Sequence, residues 1–288
     1  MIKVTDKQIW IDPFLKSNID SMIHDAENDF DFVIIITGDG KVRVGKSVLA
    51  QEVGYYIAWS LGRPFDTENC SNIVFSGEEL IKSATTSKPS VFIYDEARAE
   101  LDAKKTMSKV SKILQDFFAE CGMLNHFLIL VLPDFFELNK RIAISRSECL
   151  INVFLRKEEI KYKGETILTR KRGRYFYYGE KKKKLLYILG KKNNDDYDAV
   201  KSDFWGSFEN QWIVNKEKYD EKKLSFLKRA RDDEVKNKYK EQRDALIRIL
   251  YNKFNVTQQT ISDYLGIEGQ KLSQRQVSGL INKDVPLI

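Results

Sequence analysis

Short apolar runs alternate with amphipathic stretches along most of the chain. The run Phe32–Thr37 (FVIIIT) is uninterrupted and largely β-branched, which predicts a central parallel strand covered on both faces. Residues 46–61 carry apolar side chains at helical spacing. Further buried strands are predicted at 90–94, 127–132 and 150–155, with helical patterns between the first two. This alternation predicts an α/β fold in which helices flank a parallel sheet.

The same pattern divides the chain into four segments. Residues 1–30 predict a lead-in helix. Residues 31–192 predict the core, with a helix at 134–144 and with a β-hairpin extension formed by ETILTR, RYFYYG and KLLYILG. Residues 193–252 predict a linker followed by a charged connector helix, and 253–288 a small helical unit.

A glycine-containing loop joins the first predicted strand to the helix that follows it, and reads GKVRVGKS at 40–47. Its glycines permit a tight turn, so that backbone N–H groups and the helix N-terminus face phosphate oxygens. Lys46 is expected to bind the β and γ phosphates, and the Ser47 hydroxyl to hold Mg²⁺. The predicted nucleotide-binding residues are Gly40, Lys41, Val42, Arg43, Val44, Gly45, Lys46, Ser47 and Val48.

Two acids end the strand pattern VFIYDE at 91–96. Asp95 is expected to bind Mg²⁺ through water, and Glu96 to orient or deprotonate the attacking water. Paired acids also occur at solvated strand ends, but together with the phosphate loop they indicate hydrolysis. The sequence therefore predicts an ATPase that uses ATP and Mg²⁺.

These two motifs resemble those of the additional-strand (ASCE) P-loop ATPases, which include RecA-like, AAA+ and FtsK/HerA-like motors. More narrowly, DEARAEL, FLILVLP, RIAISR and RGRYFYYG are similar to the zonula occludens toxin-like ATPases of filamentous phages and mobile elements. The similarity spans roughly residues 30–190. It implies a viral or mobile-element protein that assembles into a homo-oligomeric ring.

In that wider group, an arginine from a neighbouring subunit completes hydrolysis. Arg141 and Arg146, in KRIAISRS, are the candidates that the resemblance indicates, and Arg98 is a weaker candidate for sensing the nucleotide state. Ordinary surface or ion-paired arginines are the alternative reading of Arg141 and Arg146.

Positive charge is concentrated in one part of the chain. Residues 156–192 contain fourteen Lys and Arg against four Asp and Glu, whereas the whole chain carries a net charge of +6. Such a block attracts a polyanion, although lysine-rich surfaces also serve solubility. Its aromatic residues suit base stacking or the core of a β extension. DNA contacts are predicted for Arg170, Lys171, Arg172 and Arg174.

The C-terminal stretch 257–282 has the spacing of a helix-turn-helix. Ile261 and Leu265 pack the first helix, Gly266 and Ile267 form the turn, and Ser273 starts a second helix whose Val277, Leu280 and Ile281 face inward. Its exposed Gln274, Arg275 and Gln276 are predicted to contact DNA. Helical bundles of this size also serve protein contacts.

The sequence excludes several other classes. The longest apolar run has six residues, against about 20 for a membrane helix, and no signal-peptide core is present. A cytoplasmic protein without a membrane partner is expected, in the host cytoplasm if it is viral. Cys70, Cys121 and Cys149 lack metal-site spacing and are interpreted as structural thiols.

The leading functional prediction is an oligomeric, DNA-directed ATPase that translocates, loads onto or remodels DNA, in packaging, replication or transfer. The alternative is an ATP-switched DNA-binding regulator or partition protein with little motor activity. A third class, the small-molecule P-loop kinases, leaves the C-terminal unit unexplained.

Overall fold

The computed structural model describes residues 4–38, 40–41, 43–97, 101, 109–163, 165–264 and 272–282. The chain forms two compact units, Met1–Lys223 and Leu224–Ile288. The division lies inside the segment 193–252 that the sequence predicts to be a linker and connector helix. The sequence-based segment boundaries themselves stay predictions.

The first unit is built on a mixed sheet. Its strands are β1 (Phe32–Thr37), β2 (Ile73–Val74), β3 (Val91–Tyr94), β4 (Phe127–Val131), β5 (Cys149–Tyr162), β6 (Glu165–Tyr178) and β7 (Phe204–Ser207). Within the described residues they form seven strands in the order β2-β3-β4-β1-β5-β6-β7. The strands from β2 to β5 pair in parallel, whereas β6 pairs antiparallel with β5 and with β7.

Helices flank this sheet and also form the second unit. They are α1 (Pro13–Ala26), α2 (Lys46–Ser60), α3 (Gly77–Thr86), α4 (Lys109–Glu120), α5 (Glu180–Lys192), α6 (Lys216–Phe254), α7 (Gln258–Tyr264) and α8 (Gln274–Ile281), with a π-helix at Arg141–Arg146. Over the described residues, none of the helices has the length and apolar character that crossing a bilayer requires. The predicted α/β fold, with a hairpin extension and a helical C-terminal unit, is confirmed.

The core of the first unit explains why β1 is central. All six residues of β1 are buried, because β4 and β5 cover its edges and packed side chains cover its faces. Burial of each large aliphatic side chain stabilises the fold by about 1.5–3 kcal/mol. The carboxyl ends of β1, β3 and β4 therefore lie on a rigid platform, along one edge of the sheet.

Two local predictions are wrong. The segment KLLYILG lies in α5 rather than in a hairpin, because Lys183, Leu186, Tyr187 and Gly190 are buried at the spacing of one helix face. The expected helix at 134–144 is instead a turn followed by the π-helix. Phe135, Phe136 and Leu138 are all buried there, and such closely spaced positions do not share one face of a regular helix.

The second unit has a small core of its own. Ile247, Ile261 and Val277 are buried, and the surrounding side chains are half-buried. Ser273 caps α8 and forms a capping box with Gln276. The helix start predicted at Ser273 is therefore confirmed. The predicted turn residues Gly266 and Ile267 lie outside the described residues, as does Leu265, which is predicted to pack the first helix.

The three cysteines are free and buried. Burial raises the pKa of the Cys70 and Cys121 thiols, and it raises that of Cys149 to about 12. Their environment agrees with the interpretation as structural thiols.

Candidate nucleotide-binding site

The loop between β1 and α2 is held at the carboxyl edge of the sheet. Gly38 N and Gly40 N donate to the carbonyl of Pro133, at 3.2 and 2.9 Å, and so attach the loop to the end of β4. Gly45 caps α2 with a φ of 108°, a backbone conformation that favours glycine. The first N–H groups of α2 therefore point away from the helix and can bind an anion.

Lys46 is the first residue of α2, and Ser47 follows it. The Lys46 ammonium donates to the Lys41 carbonyl at 2.7 Å, so its side chain folds back over the loop. Burial lowers the pKa of Lys46, while the carboxylates of Asp95 and Glu96 oppose that shift. Of the predicted nucleotide-binding residues, Val42 lies outside the described residues.

Asp95 and Glu96 follow β3, which is separated from β1 by β4 alone. Asp95 is buried, with an exposed fraction of 2%. Its Oδ1 accepts from Glu96 N at 3.0 Å, and Glu96 has a φ of 65°. A left-handed conformation costs a glutamate of order 1 kcal/mol, and such strain clusters at functional sites. The geometry turns Glu96 out of the strand and leaves it half-buried.

Helix α6 contributes two side chains to these acids, neither of which the sequence indicated. The Tyr219 hydroxyl donates to Asp95 Oδ2, and both Tyr219 and Ser47 line the cleft described below. Burial, followed by the Asp95 charge, raises the pKa of Tyr219. Lys223 Nζ lies 2.7 Å from Glu96 Oε1 and 3.8 Å from Asp95 Oδ2. Burial works to lower the pKa of Lys223, but the two carboxylates outweigh it and the pKa is raised.

These groups line one cleft of about 610 Å³, a size typical of sites for cofactors. Lys46, Ser47, Asp95 and Glu96 meet in it, as the two sequence motifs predict. The wall also includes side chains that the sequence analysis did not assign to the nucleotide: Arg172, Asn210, Trp212, Lys216, Tyr219, Asp220 and Lys223. The run QWIVN at 211–215, apolar within a polar segment, is the signal that could have indicated part of this wall.

Residues 208–214 form a strap that crosses α2 and the loop. Gln211 N donates to Glu52 Oε1 at 2.7 Å, and the N–H groups of Ile213 and Val214 reach Gln51 Oε1 at 3.3 and 3.4 Å. Burial raises the pKa of Glu52 to about 8. The strap therefore adds a wall to the cleft through buried polar contacts with α2.

The two candidate arginines have different surroundings. Arg146 pairs with Asp31 and donates to the Phe118 carbonyl at 2.6 Å, so its guanidinium is engaged inside its own subunit. Arg141 is exposed at the start of the π-helix. Neither side chain is among the described residues that line the cleft. The weaker candidate Arg98 lies outside the described residues.

The residues predicted to contact DNA differ in their exposure and in the contacts that they make. Lys171 pairs with Glu158 at 3.1 Å, and the Arg174 guanidinium lies over the Trp205 ring, 5.2 Å from its centroid. Arg170 is exposed, whereas Arg172 lines the cleft described above. On α8, Gln274 and Arg275 are exposed, while Gln276 Oε1 accepts from Ser273 N at 2.8 Å in the capping box.

Comparison with known proteins gives one structural likeness. The crystal structure of the N-terminal domain of zonular occludens toxin from Neisseria meningitidis aligns with 66% of this chain and 98% of that chain, at 12% identity and a TM-score of 0.35. No protein-family model and no curated protein matches the sequence.

Proposed function

We propose that this protein is an ATPase of the additional-strand P-loop class. The observation that carries the proposal is the meeting of Lys46 and Ser47, at the N-terminus of α2, with Asp95 and Glu96, at the end of β3, in one cleft. The position of β4 between β1 and β3 supports the additional-strand class. No other strand of the described sheet separates the phosphate loop from the two acids.

The residues present fit a magnesium ion. The Ser47 hydroxyl and the Asp95 carboxylate line the same cleft. Both are hard oxygen ligands, which Mg²⁺ prefers together with phosphate oxygens and water. The ion would neutralise charge on the β and γ phosphates.

The chain's own residues would divide the remaining chemistry. The α2 N-terminus and Lys46 bind and orient the polyphosphate, since both offer positive charge to it. Glu96 accepts a proton from the attacking water or orients that water. For this role Glu96 has to exchange its ion pair with Lys223 for a contact to water.

DNA is the proposed partner, and a homo-oligomer the proposed assembly. The outer halves of β5 and β6 form an exposed two-stranded ribbon that carries Arg156, Lys157, Lys161, Arg170 and Lys171, and Lys163 follows β5 directly. Such cations suit phosphate contacts, which are independent of sequence. The exposed Gln274 and Arg275 on α8 suit a second contact. Arg141 is the candidate for completing a neighbouring subunit's site.

An assay of ATP turnover tests this function. The full chain is assayed without DNA, with single-stranded DNA and with duplex DNA, next to the Lys46→Ala and Glu96→Gln variants. We expect magnesium-dependent turnover that DNA stimulates and that both variants lose. Absence of turnover in the wild type under all three conditions would contradict the ATPase assignment.

An ATP-dependent switch is the second candidate function. The observation that favours it is the ion pair between Lys223 and Glu96, which withholds the proposed water-activating group. A switch would bind ATP tightly, change its affinity for DNA and turn ATP over slowly even when DNA is present. The same turnover assay, combined with a measurement of nucleotide affinity, separates the two functions, because tight ATP binding with slow turnover in the presence of DNA would indicate the switch.

A further inference from the structure

Arg172 lines the same cleft as the phosphate loop, although it lies on the β6 strand, far from both nucleotide motifs in sequence. The strand order β3-β4-β1-β5-β6 places β6 and the two acids on opposite sides of β1. A polyphosphate bound at the loop would therefore have Asp95 and Glu96 towards one side and Arg172 towards the other.

A β-bulge directs Arg172 to this position. Phe154 pairs with Arg174, whereas Arg156 pairs with Lys171, so Leu155 faces two residues of β6, namely Arg172 and Gly173. An extra residue of this kind bends the strand and changes the direction of a side chain. Bulges are over-represented next to active sites for that reason.

Gly173 fixes the bulge in place. Its φ is 95°, and a Cβ at this position would lie 2.7 Å from the Phe208 carbonyl oxygen. Phe208 N donates to the Gly173 carbonyl at 3.1 Å, so the strap that crosses α2 also holds the bulge. The left-handed backbone and the close approach both require glycine. The orientation of Arg172 is thus built into the fold.

Two neighbouring cations on β6 have partners elsewhere, whereas Arg172 has none among the described residues. Lys171 pairs with Glu158, and Arg174 stacks over Trp205. Within the described part of the chain, Arg172 makes no ion pair and no ring contact. Arg172 is an exposed residue, and a guanidinium offers five N–H donors to a ligand in the cleft.

We propose that Arg172 binds the polyphosphate of a nucleotide in its own subunit, instead of the DNA contact that the sequence predicts for it. A guanidinium forms paired, charge-assisted hydrogen bonds with phosphate oxygens. Because Arg172 lies away from the acids, its contribution is to binding rather than to water attack. This inference rests on the proposed nucleotide-binding function.

Calorimetric titration of the full chain with ATP and with ADP tests the proposal. Arg172→Ala should weaken both affinities by about 10- to 100-fold, as expected for hydrogen bonds to a charged group. Arg172→Lys keeps the charge but lacks the planar pair of N–H donors that a guanidinium offers, so its loss of nucleotide affinity should be smaller. Arg170→Ala, an exposed cation on the same strand that does not line the cleft, is the matched control and should bind both nucleotides as the wild type does.

Steady-state kinetics give a second readout, in which Arg172→Ala should raise KM for ATP far more than it lowers kcat. Unchanged nucleotide affinity in Arg172→Ala, next to normal binding by the wild type, would overturn the assignment of Arg172 alone. A loss of DNA affinity without a loss of nucleotide affinity would overturn it in the same way and restore the DNA contact. A wild-type chain that binds neither nucleotide would contradict this inference together with the proposed function.

Discussion

Lys223 Nζ lies 2.7 Å from Glu96 Oε1, so helix α6 holds the carboxylate that is proposed to activate water. One turn earlier, Tyr219 of the same helix holds Asp95. The contact between Tyr219 and Asp95 is buried and the Lys223–Glu96 pair is half-buried, so water screens both less than it screens surface ion pairs. The metal binding and catalysis proposed for the two acids would therefore compete with contacts that α6 already makes.

The first prediction separates binding from chemistry at the two motifs. Lys46→Ala should abolish detectable ATP binding, because it removes the ammonium group that is proposed to bind the β and γ phosphates. Glu96→Gln should retain ATP but lose turnover, since an amide cannot accept the proton. Titration calorimetry and phosphate release measure the two effects. Equal losses of binding in both variants would contradict the assigned roles.

The second prediction concerns the restraint on Glu96. Lys223→Ala should raise basal turnover up to about fivefold, as the loss of about 1 kcal/mol of ion pairing allows. Lys222→Ala is the control, because Lys222 pairs with Glu79 at 2.8 Å and does not contact Glu96. A lower rate in Lys223→Ala, with Lys222→Ala unchanged, would mean that Lys223 assists the reaction.

The third prediction distinguishes the two candidate arginines by stability. Arg146→Ala should lower the free energy of unfolding by about 2–4 kcal/mol, because it leaves the largely buried Asp31 carboxylate without its partner. Arg141→Ala should change it by less than about 0.5 kcal/mol, since its side chain is exposed. Urea unfolding followed by circular dichroism measures both.

The fourth prediction tests whether Arg141 acts in a neighbouring subunit. Arg141→Ala and Glu96→Gln should each be inactive alone, yet a mixture should recover part of the activity. One interface of a mixed oligomer can contain both intact halves. Failure to recover activity in demonstrated mixed oligomers would remove Arg141 as the arginine finger.

The fifth prediction uses the pKa of Glu52, which burial raises from 4.5 to about 8. Between these pH values the folded state binds more protons than the unfolded state, so the stability contributed by protonated Glu52 is present below pH 4.5 and is lost as the pH rises to about 8. Glu52→Gln keeps an acceptor for Gln211 N. It should remove from the free energy of unfolding a dependence on pH of about 1.4 kcal/mol per pH unit between these values. Exposed Glu78→Gln should leave the slope unchanged, and denaturant unfolding across this range measures it.

The sequence was most informative where function depends on local geometry. The loop GKVRVGKS needs glycine at a positive φ and a helix directly after it, and both requirements can be read from adjacent residues. Likewise, the sequence SGEE at 76–79 has the spacing of a capping box, which predicts a helix start, and the side chain of Ser76 does accept from Glu79 N at 3.2 Å at the start of α3. The strand β1 was predictable for a similar reason, because its apolar run leaves no polar face.

The contacts that the sequence could not indicate join residues far apart in the chain. Tyr219 and Lys223 reach acids more than 120 residues earlier, and nothing in a charged helical pattern distinguishes them from solvated neighbours. Lys183 shows the same limit, because within a run of four lysines it alone is fully buried, donating to Ser147 Oγ at 2.7 Å. Residue type predicts charge, but the tertiary fold decides which charge is buried.

The buried cysteines have a practical consequence for labelling the protein. Because Cys70, Cys121 and Cys149 are inaccessible and their thiol pKa values are raised, the folded chain should react slowly with maleimides near neutral pH. A cysteine introduced at exposed Leu168, near the tip of the ribbon, would then carry a fluorophore at one defined position without removal of the native thiols. Unfolding would expose the three native thiols to the same reagent, so the number of labels per chain would also report the loss of the fold.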